Sequence, residues 1–370
     1  MLWQGGGMAD EEERGLTVAV TGPTGTFGFG LMPLLQGDDR VTRIVGIARR
    51  PFDPDGFGWT KMEYRRGDVR DPATLRDAFG AADVVVHLAF LITGAAPAEE
   101  LRAVNVEGTL NAFRAAAAAG ARRFVYASSV AVYGFHPDNP VGMTEEWPVR
   151  PAARLFYAKE KAELEHLLRA EAATLAAAGS AGPDAAASAG PDAAASAGPA
   201  LYLLRPPLVL GPHAVGAKDL LPGPLAPLGR KLATLAARAV RTGRVPRLPV
   251  LLPSMPFQCV HEDDLGDALL RCIVAAGPSG AYNVAADGIL TSADVAREFG
   301  LLPLPLPSKP MQLAARAAAT LPFLPPAAQW VEAASQPSIM DTTRAKAELG
   351  WAPRYTALES LRDTLGTGQP

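Results

Sequence analysis

Tyr157 and Lys161, four residues apart, are the side chains of this sequence with the clearest capacity for chemistry. They lie in the segment RLFYAKEKAEL, which has the composition of a helix, and residues four apart share one helical face. A free tyrosine has a pKa near ~10 and is a poor base at neutral pH. A lysine ammonium beside it favours the phenolate, which is the form that accepts a proton. Such a pair also arises often by chance in a helix of this composition, so the spacing alone does not decide between the two interpretations.

A glycine-rich turn is the second chemical feature. The apolar run LTVAVTG predicts a buried strand, and VTGPTGTFGFG leads from it into a helix that we expect to end near Gln36. Glycine suits a turn in which a pyrophosphate approaches backbone N–H groups at a helix N-terminus. Pro33, inside this helix, predicts a bend or a late start. The predicted cofactor-binding residues of the turn are Gly22, Thr24, Gly25, Thr26, Phe27 and Gly28.

The end of the second predicted strand, VTRIVGIAR, bears on the choice between NAD and NADP. A carboxylate at this point would bind the adenine-ribose hydroxyls, whereas an arginine suits a 2′-phosphate. The chain continues as GIARRP, with Arg49 and Arg50 and without an acidic residue. These arginines favour NADP over NAD as the cofactor. The alternative is that both are solvated side chains at the start of a loop.

Strand and helix patterns alternate along the first two thirds of the chain. Further strands are predicted at MEYRRGDV, ADVVVHLAF, RRFVYASS and ALYLLRPPLVLG, and helices at 71–80, at about 99–119 and from the Tyr157 segment to about Ala178. Asp71 suits the N-cap of the first of these helices, and Pro72 suits its first position. This alternation predicts an α/β fold class: a doubly wound parallel (Rossmann) sheet with a smaller C-terminal substrate lobe.

The chain divides into four predicted parts. The NAD(P)-binding domain comprises residues 16–178, 200–211 and 257–285, and the substrate-binding lobe comprises residues 212–256 and 286–370. Residues 1–15 are predicted to be a disordered tail. Residues 179–199 repeat an eight-residue unit that contains Gly-Pro, which predicts a low-complexity insertion without chemistry. Three helices are expected within the lobe and at its borders. One begins near Asp263, the second is capped by Thr291 or Ser292, and the third spans about 311–320.

Composition excludes several classes of function. A chain of 370 residues with 48% hydrophobic and 20% charged residues suits a soluble globular protein, and a formal charge of −3 gives no reason to expect nucleic acid or an anionic membrane. Its apolar runs are shorter than the ~18–20 residues that span a bilayer, and its N-terminus lacks the pattern of a secretory signal. Cys259 and Cys272 are expected to be buried, reduced thiols. Such thiols are typical of a cytoplasmic protein. The histidines are scattered, so we expect no metal, and we expect a small molecule as the substrate.

The order of motifs along residues 16–360, outside the repeat, resembles the extended short-chain dehydrogenase/reductases of the NAD-dependent epimerase/dehydratase family. Each motif is weak by itself, but the ordered set is specific. The motifs are T-G-x-x-G-x-x-G, GDVRD, VVHLA, NVEGT, SSVAVYG and Tyr-x-x-x-Lys, followed by LRPPLVLGP, VHEDDLGDAL and TTRAKAELGWAPRYT.

This resemblance implies a role for each matching residue. Ser129 would hydrogen-bond the reacting oxygen, with Ser128 as the next candidate, and Tyr157 would transfer the proton. Lys161 would also hold the ribose hydroxyls, and Asn105 would organise the lysine through water. The remaining cofactor-binding residues implied in this way are Asp68 and Val69 at the adenine, and Leu88 and Ala89 along the cleft.

Two departures from the family pattern bear on the substrate. Sugar-nucleotide 4,6-dehydratases carry Thr-Asp-Glu after the fifth strand, where this chain has Ser-Ser-Val, so that reaction is not expected. Sugar-nucleotide epimerases often have an arginine before the late V-x-x-D-D motif, where this chain has Pro256, Phe257 and Gln258. The residues His213, Lys218 and 241–247 remain either phosphate ligands or part of a solvated basic loop.

The apolar run at 301–306 and Trp330 favour a less polar substrate, and the alternatives are core packing or a surface for a partner or membrane. We therefore predict an NAD(P)-dependent oxidoreductase that transfers hydride at a C–OH or C=O centre. Two alternatives stay open: a nucleoside-diphosphate-sugar epimerase, and a non-catalytic NAD(P)-binding sensor or scaffold. Many relatives pair two long helices in a dimer, so the helices of Asn105 and Tyr157 are candidates for a homodimer interface.

Overall fold

A seven-stranded parallel sheet forms the centre of the molecule. It is seen in a computed structural model that describes residues 15–92, 97–180, 198–214, 248–253, 255–306 and 336–366. The strands of the described residues are β1 (Leu16–Thr21), β2 (Val41–Ala48), β3 (Met62–Arg66), β4 (Val84–His87), β5 (Arg123–Ala127), β6 (Ala200–Arg205), β7 (Leu208–Leu210), β8 (Pro249–Pro253), β9 (Pro256–Phe257), β10 (Cys259–His261), β11 (Gly280–Asn283), β12 (Leu290–Thr291) and β13 (Leu302–Leu306).

Helices connect these strands and cover the sheet. A π-helical turn, Ala103–Glu107, joins the third helix to the fourth, and short 3-10 helices occupy Asp55–Phe57 and Val130–Tyr133. The described α-helices are α1 (Thr26–Gly37), α2 (Pro72–Phe79), α3 (Ala98–Arg102), α4 (Gly108–Ala118), α5 (Phe156–Ser180), α6 (Glu262–Ile273), α7 (Ser292–Glu298), α8 (Thr343–Glu348) and α9 (Ala357–Thr364).

The strand order of the central sheet is β11-β6-β5-β4-β1-β2-β3, and every pairing in it is parallel. Successive residues of a strand face opposite sides, so Val18 and Val20 join one buried cluster and Ala19 joins the other. The chain order reverses between β1 and β4, and in such sheets a crevice opens there beyond the carboxyl ends of the strands. The predicted doubly wound fold is confirmed, and its crevice adjoins the glycine turn.

Two glycines bring α1 and α6 into close contact and thereby fix the direction of α1. A Cβ on Gly30 would lie 2.0 Å from the carbonyl oxygen of Glu262, and one on Gly266 would lie 2.2 Å from the carbonyl oxygen of Gly30. Helix α1 begins at Thr26, immediately after the turn, and continues through Pro33 to Gly37. The predicted late start is therefore wrong. The Pro33 side chain is exposed, so its ring displaces none of the buried residues of the helix.

Most helix boundaries agree with the sequence prediction. Asp71 caps α2 by accepting a hydrogen bond from the Ala73 N–H at 2.9 Å. Thr291, rather than Ser292, caps α7 in a reciprocal capping box with Asp294. The long helix expected at about 99–119 is instead interrupted by the π-helical turn, which hydrophobic periodicity does not reveal.

The C-terminal half contains short two-stranded pairings instead of a second large sheet. Within the described residues these are β7 with β10, β9 with β12, and β8 with β13. Cys259 and Cys272 are free and fully buried, as predicted, and burial raises the pKa of the Cys259 thiol to about 12. The division between a nucleotide-binding domain and a substrate lobe stays a prediction.

Several predicted features lie outside the described residues. These are most of the N-terminal tail and of the 179–199 repeat, Lys218, the basic residues 241–247, the helical stretch 311–320, and Trp330. None of the helices that the structure does describe is long and apolar enough to cross a membrane.

Candidate active site

The glycine turn after β1 is shaped by close approaches of its backbone to neighbouring residues. Gly22 has a φ of +73°, which other residues adopt rarely, and a Cβ there would lie 3.0 Å from the Ala89 nitrogen. A Cβ on Gly28 would lie 2.0 Å from the carbonyl oxygen of Pro23, so only glycine allows the turn to close on the helix. Gly25 differs because it is exposed, and its nearest neighbour to an added Cβ is 3.5 Å away. The protein itself does not demand glycine at this position, whereas an approaching ligand would.

The N-terminus of α1 faces the same crevice. Its N-cap is Gly25, and no side chain among the described residues caps it. Helix N-termini carry partial positive charge and favour phosphate. The Thr26 hydroxyl donates to the His213 carbonyl oxygen at 2.9 Å, and the predicted neighbours Thr24 and Phe27 are partly buried. The turn therefore fits the pyrophosphate of a dinucleotide.

The predicted adenine end of the crevice lies beyond β2 and β3. Arg49 and Arg50 are exposed, while their carbonyl oxygens accept hydrogen bonds from Arg66 and Tyr64. Asp68 pairs with Arg70 at 2.7 Å, and this hydrogen bond lowers the pKa of the Asp68 carboxyl, with a smaller contribution from the charge of Arg49. The other predicted residues are the buried Val69 and, after β4, the partly buried Leu88 and Ala89.

Ser129 and Tyr157 meet, although 28 residues separate them in the sequence (157 − 129 = 28). Ser129 follows β5 and accepts a hydrogen bond from the Ala131 N–H at 3.2 Å, which caps the next 3-10 helix. Its hydroxyl also hydrogen-bonds the Tyr157 phenol. Ser128 points elsewhere, because its hydroxyl donates to Glu165 at 2.6 Å. The structure thus separates the two candidate serines and pairs Ser129 with the tyrosine.

Lys161 is buried next to Tyr157 but does not donate to its phenol. The amine donates to the Ala127 carbonyl oxygen at 2.6 Å and to the Tyr126 hydroxyl at 3.2 Å. It lies 3.7 Å from the centroid of the Phe90 ring and 5.8 Å from that of Tyr157. Burial lowers the pKa of the Lys161 amine to about 7, partly opposed by the charges of Glu165 and Glu160. Burial therefore makes this amine much easier to deprotonate than an exposed lysine.

The pKa of Tyr157 differs in direction from the sequence prediction. Burial raises this pKa above its usual value, and the hydrogen bond from Ser129 opposes the increase only in part. The prediction that the neighbouring ammonium would favour the phenolate is therefore wrong for the protein without cofactor. Its physical reason is that desolvation disfavours the phenolate more than the amine stabilises it, since the amine donates to Ala127 and Tyr126 instead.

Apolar side chains surround the Tyr157 ring. Phe90 meets it edge-on, with ring centroids 5.6 Å apart and planes at 89°. Tyr157 itself is 9% exposed. The buried neighbours in this cluster are Ala131, Ala152, Leu155 and Ala158, and the partly buried ones are Phe90, Ile92, Phe135 and Phe156.

Asn105, in the π-helical turn, is fully buried and binds the loop that follows β4. Its amide accepts from the Leu91 N–H at 2.7 Å and donates to the Leu91 carbonyl oxygen at 3.1 Å. The same amide donates to the Glu160 carboxylate at 2.8 Å. Asn105 thus contacts the residue before the lysine in the chain. The predicted water-mediated link to Lys161 stays a prediction.

A second chain of hydrogen bonds, centred on His87, was not predicted. The His87 ring lies 3.0 Å from the Thr109 hydroxyl and 2.9 Å from the Thr21 hydroxyl. Burial, and then the charge of Lys161, lowers the pKa of His87 to about 3, so the ring is neutral. The Thr109 hydroxyl donates to the Asn105 carbonyl oxygen at 2.5 Å, so His87 must donate to Thr109 and accept from Thr21. The Ala89 N–H in turn donates to Thr21 at 3.3 Å, which holds the cleft loop.

A buried ion pair below the site was also missed. Arg205 donates to both oxygens of Glu165, at 2.8 and 2.5 Å, and to the Tyr133 hydroxyl at 2.7 Å. Tyr133 donates to the Asn283 side chain at 2.8 Å. The only signal in the sequence is a carboxylate four residues after Lys161, on the helical face that is otherwise buried.

Two residues that bear on the substrate, Gln258 and His213, have structural partners. Gln258 is buried, donates to the Met340 carbonyl oxygen at 3.1 Å and accepts from the Met340 N–H at 2.8 Å. His213 stacks on Phe29 at 4.2 Å and contacts the Glu262 carboxylate at 2.6 Å. Gln258 therefore ties two backbone segments together at a position where an arginine would be expected to bind a diphosphate.

Comparisons with known proteins agree with this geometry. Residues 18–179 match the family model described as NAD dependent epimerase/dehydratase family. An uncharacterised Mycobacterium tuberculosis protein is 27% identical over 363 residues, which cover 94% of this chain and 82% of that protein. Sterol demethylase protein B of Methylococcus capsulatus is 33% identical over 153 residues, or 41% of this chain and 45% of that protein. The NAD complex of Thermus thermophilus UDP-glucose 4-epimerase shares the fold, with 21% identity, a TM-score of 0.62, and 95% and 98% of the two chains covered.

Proposed function

We propose that this chain, whose residues 18–179 match the model of the NAD dependent epimerase/dehydratase family, is an NAD(P)-dependent oxidoreductase acting on an apolar alcohol or ketone. The observation that carries the proposal is the setting of Tyr157: its phenol is hydrogen-bonded to Ser129 within a cluster of otherwise apolar side chains. A proton-transferring group enclosed by alanine, leucine and phenylalanine suits a substrate with a single polar oxygen.

The residues of the chain perform the proton part of the reaction. When bound, the nicotinamide accepts or supplies the hydride. In reduction, Tyr157 donates its phenolic proton to the carbonyl oxygen and becomes a phenolate, while Ser129 hydrogen-bonds the same oxygen. In oxidation the phenolate takes the hydroxyl proton of the alcohol. Since burial raises the pKa of Tyr157, the free enzyme holds the acid form that ketone reduction requires.

Lys161 contributes charge near the reacting centre. Its amine is held by Ala127 and Tyr126 at the end of β5, close to where the cofactor ribose is expected. A positive charge there stabilises the phenolate that reduction leaves on Tyr157. With a pKa of about 7, this amine gains its charge readily when a ligand that favours the ammonium binds.

An apolar substrate is favoured over a sugar nucleotide by two further observations. Gln258, at the position expected for a diphosphate-binding arginine, is buried and satisfied by the Met340 backbone. The name of the 33% identical Methylococcus capsulatus relative refers to a sterol, which is an apolar alcohol. The sugar-nucleotide epimerase remains the second candidate, and turnover of UDP-glucose would identify it.

The decisive experiment measures turnover of the purified protein with NADPH and NADH against keto- and hydroxysteroids, long-chain ketones and UDP-sugars. We expect reduction of an apolar ketone, and a loss of about 10²-fold or more in kcat for Tyr157→Phe with cofactor affinity retained. Ser129→Ala should also lower kcat. Its matched control is Ser128→Ala. The Ser128 hydroxyl donates to Glu165 of the buried ion pair and not to Tyr157, so this variant should keep its turnover. Cofactor binding without any turnover that depends on Tyr157 would refute the enzyme and favour a sensor.

For the cofactor, NADP is proposed over NAD. The guanidinium groups of Arg49 and Arg50 are exposed at the end of β2, where a 2′-phosphate would lie. Their backbone is held by Tyr64 and Arg66, so the loop is positioned while its charges stay available. The measurement is the ratio of dissociation constants for NADPH and NADH. We expect tighter NADPH binding, and a ratio closer to one in Arg49→Ala; tighter NADH binding in the unmodified protein would contradict the proposal.

A further inference from the structure

Glu160 is a buried carboxylate that the reaction described above does not use. It lies between Tyr157 and Lys161 in the chain and is 8% exposed. Burial raises the pKa of its carboxyl, opposed by the hydrogen bond from Asn105 and the charge of Arg102. A carboxylate is costly to bury unless it is paired or hydrogen-bonded, so its contacts point to what it does.

Its hydrogen bond reaches the loop that lines the cleft. Glu160 accepts from the Asn105 amide at 2.8 Å, and that amide binds both the N–H and the carbonyl oxygen of Leu91. The residue before Leu91 is Phe90, whose ring covers the Lys161 amine at 3.7 Å. The carboxylate therefore adds a third hydrogen bond that holds Asn105 in the orientation that binds Leu91, next to the segment that lies against both Lys161 and Tyr157.

We propose that Glu160 is a positioning residue of this site, which holds Asn105 against the 88–91 loop and supplies a negative charge beside the Lys161 amine. The inference rests on the proposed function, because it takes Lys161 and this loop to face the cofactor. It assigns two separable effects to one side chain. The hydrogen bond orders the loop, and the charge favours the ammonium.

The charges around these groups come from several elements. Those that act on Glu160 are Arg102, Glu163 and Lys161, in addition to the Asn105 hydrogen bond. Glu165 and Glu160 both favour the charged form of Lys161. From the sheet, Lys161 faces Tyr126, whose pKa is raised by burial, and His87, whose pKa is lowered to about 3, so both stay neutral near pH 7. Tyr157 is likewise neutral there, since its pKa is raised.

The first test titrates the full-length protein with NADPH by fluorescence between pH 6 and 9. As Lys161 loses its proton above pH 7, the affinity should fall. In Glu160→Gln, which keeps an oxygen for Asn105 but removes the charge, this fall should begin about half to one pH unit lower. The matched control is Glu171→Gln on the same helix, whose carboxylate pairs with Arg114 at the surface, and its curve should coincide with that of the unmodified protein. A Glu160→Gln curve that also coincides would overturn the charge effect.

The second test measures hydrogen exchange of the Leu91 amide, which donates to Asn105. Glu160→Ala removes the carboxylate partner, so we expect exchange at least several-fold faster, whereas Glu160→Gln should stay near the unmodified rate. Equal rates in Glu160→Ala and the unmodified protein would overturn the loop-ordering effect. If Glu160→Ala does not fold, the titration of Glu160→Gln still decides the charge effect. A protein that binds NADPH but reduces no ketone refutes the proposed function and leaves both measurements interpretable.

Discussion

Two charged side chains one turn apart on α5, Lys161 and Glu165, are buried in different ways. Glu165 accepts two hydrogen bonds from Arg205 and one from Ser128, and these keep the pKa of its carboxyl lowered despite full burial. Within the described residues, the Lys161 amine donates to uncharged groups, Ala127 and Tyr126, and burial lowers its pKa to about 7. The charge of Glu165 is fully compensated by hydrogen bonds from a cation, whereas the charge of Lys161 is not.

Glu165 therefore carries a structural charge, which its partners hold in one state, whereas the charge of Lys161 can change with its surroundings. A buried ion pair with all its hydrogen bonds made is locked in one protonation state and fixes the surrounding geometry. A buried amine without a carboxylate partner is poised between two states and responds to what binds next to it. The same helix thus carries a fixed ion pair at Glu165 and, one turn closer to Tyr157, an amine at Lys161 whose protonation can change.

Removing the partner of the structural charge should have the largest effect on stability. Arg205→Met leaves Glu165 buried without its two guanidinium hydrogen bonds, and we expect the free energy of unfolding to fall by about 3 to 5 kcal/mol. Urea unfolding measures this. The control is Arg169→Met, because Arg169 lies 3.5 Å from the same carboxylate but is exposed, and its cost should stay below about 1 kcal/mol. Equal costs for the two variants would contradict the comparison.

Removing the charge of Lys161 should instead stabilise the fold. Lys161→Met replaces a desolvated amine by an apolar chain, and we expect the free energy of unfolding at pH 7, without cofactor, to rise by about 1 to 3 kcal/mol while turnover is lost. The pKa of Lys161 is about 7 when folded and near ~10.4 when unfolded. Between these pH values the unfolded chain binds more protons, so the unmodified protein gains stability as pH rises and the advantage of Lys161→Met shrinks.

Urea unfolding at pH 7 and pH 9 checks this sign. The matched control is Lys159→Met, an exposed lysine two positions earlier, whose effect on stability should be small at both pH values. A destabilised Lys161→Met at pH 7 would mean that the amine contributes to the fold as Arg205 does.

An exposed pair on the same helix should have the smallest effect. Glu163 accepts from Arg102 at 2.9 and 2.6 Å, with both side chains partly in solvent. We expect Glu163→Gln to lower the free energy of unfolding by about 0.2 to 1 kcal/mol, and by less at 1 M salt, where charges are screened. Unfolding at low and high salt measures this. A salt-independent loss as large as that of Arg205→Met would show that burial is not what separates the two pairs.

Local sequence signals were sufficient for the elements and for the glycine turn. Asp71 and Thr291 cap helices in agreement with their types and positions, because capping depends on residues only a few positions away. The strand alternation likewise predicted the parallel sheet. The π-helical turn around Asn105 was missed, since a single extra residue in a turn leaves the apolar pattern nearly unchanged.

Which charged residues pair with each other could not be predicted from the sequence. Glu160, Glu165 and Arg205 appear there as ordinary charged residues, and nothing local tells that all three are buried. The direction of the Tyr157 pKa was predicted wrongly for the same reason. A pattern gives the neighbour at helical spacing, but desolvation depends on segments that are distant in the chain.

By itself, the sequence determined the doubly wound sheet, the glycine turn and the identity of the Tyr157 and Lys161 pair, because these follow from short-range spacing and periodicity. The packing of distant segments was needed to show that Ser129 rather than Ser128 meets the phenol, that Lys161 donates to Tyr126 and Ala127, and that Asn105 donates to Glu160. These outcomes depend on which buried groups find partners. These partners are decided when β5, the π-helical turn and α5 pack together, since an unmade hydrogen bond in the interior costs about 1 to 3 kcal/mol, more than most local preferences.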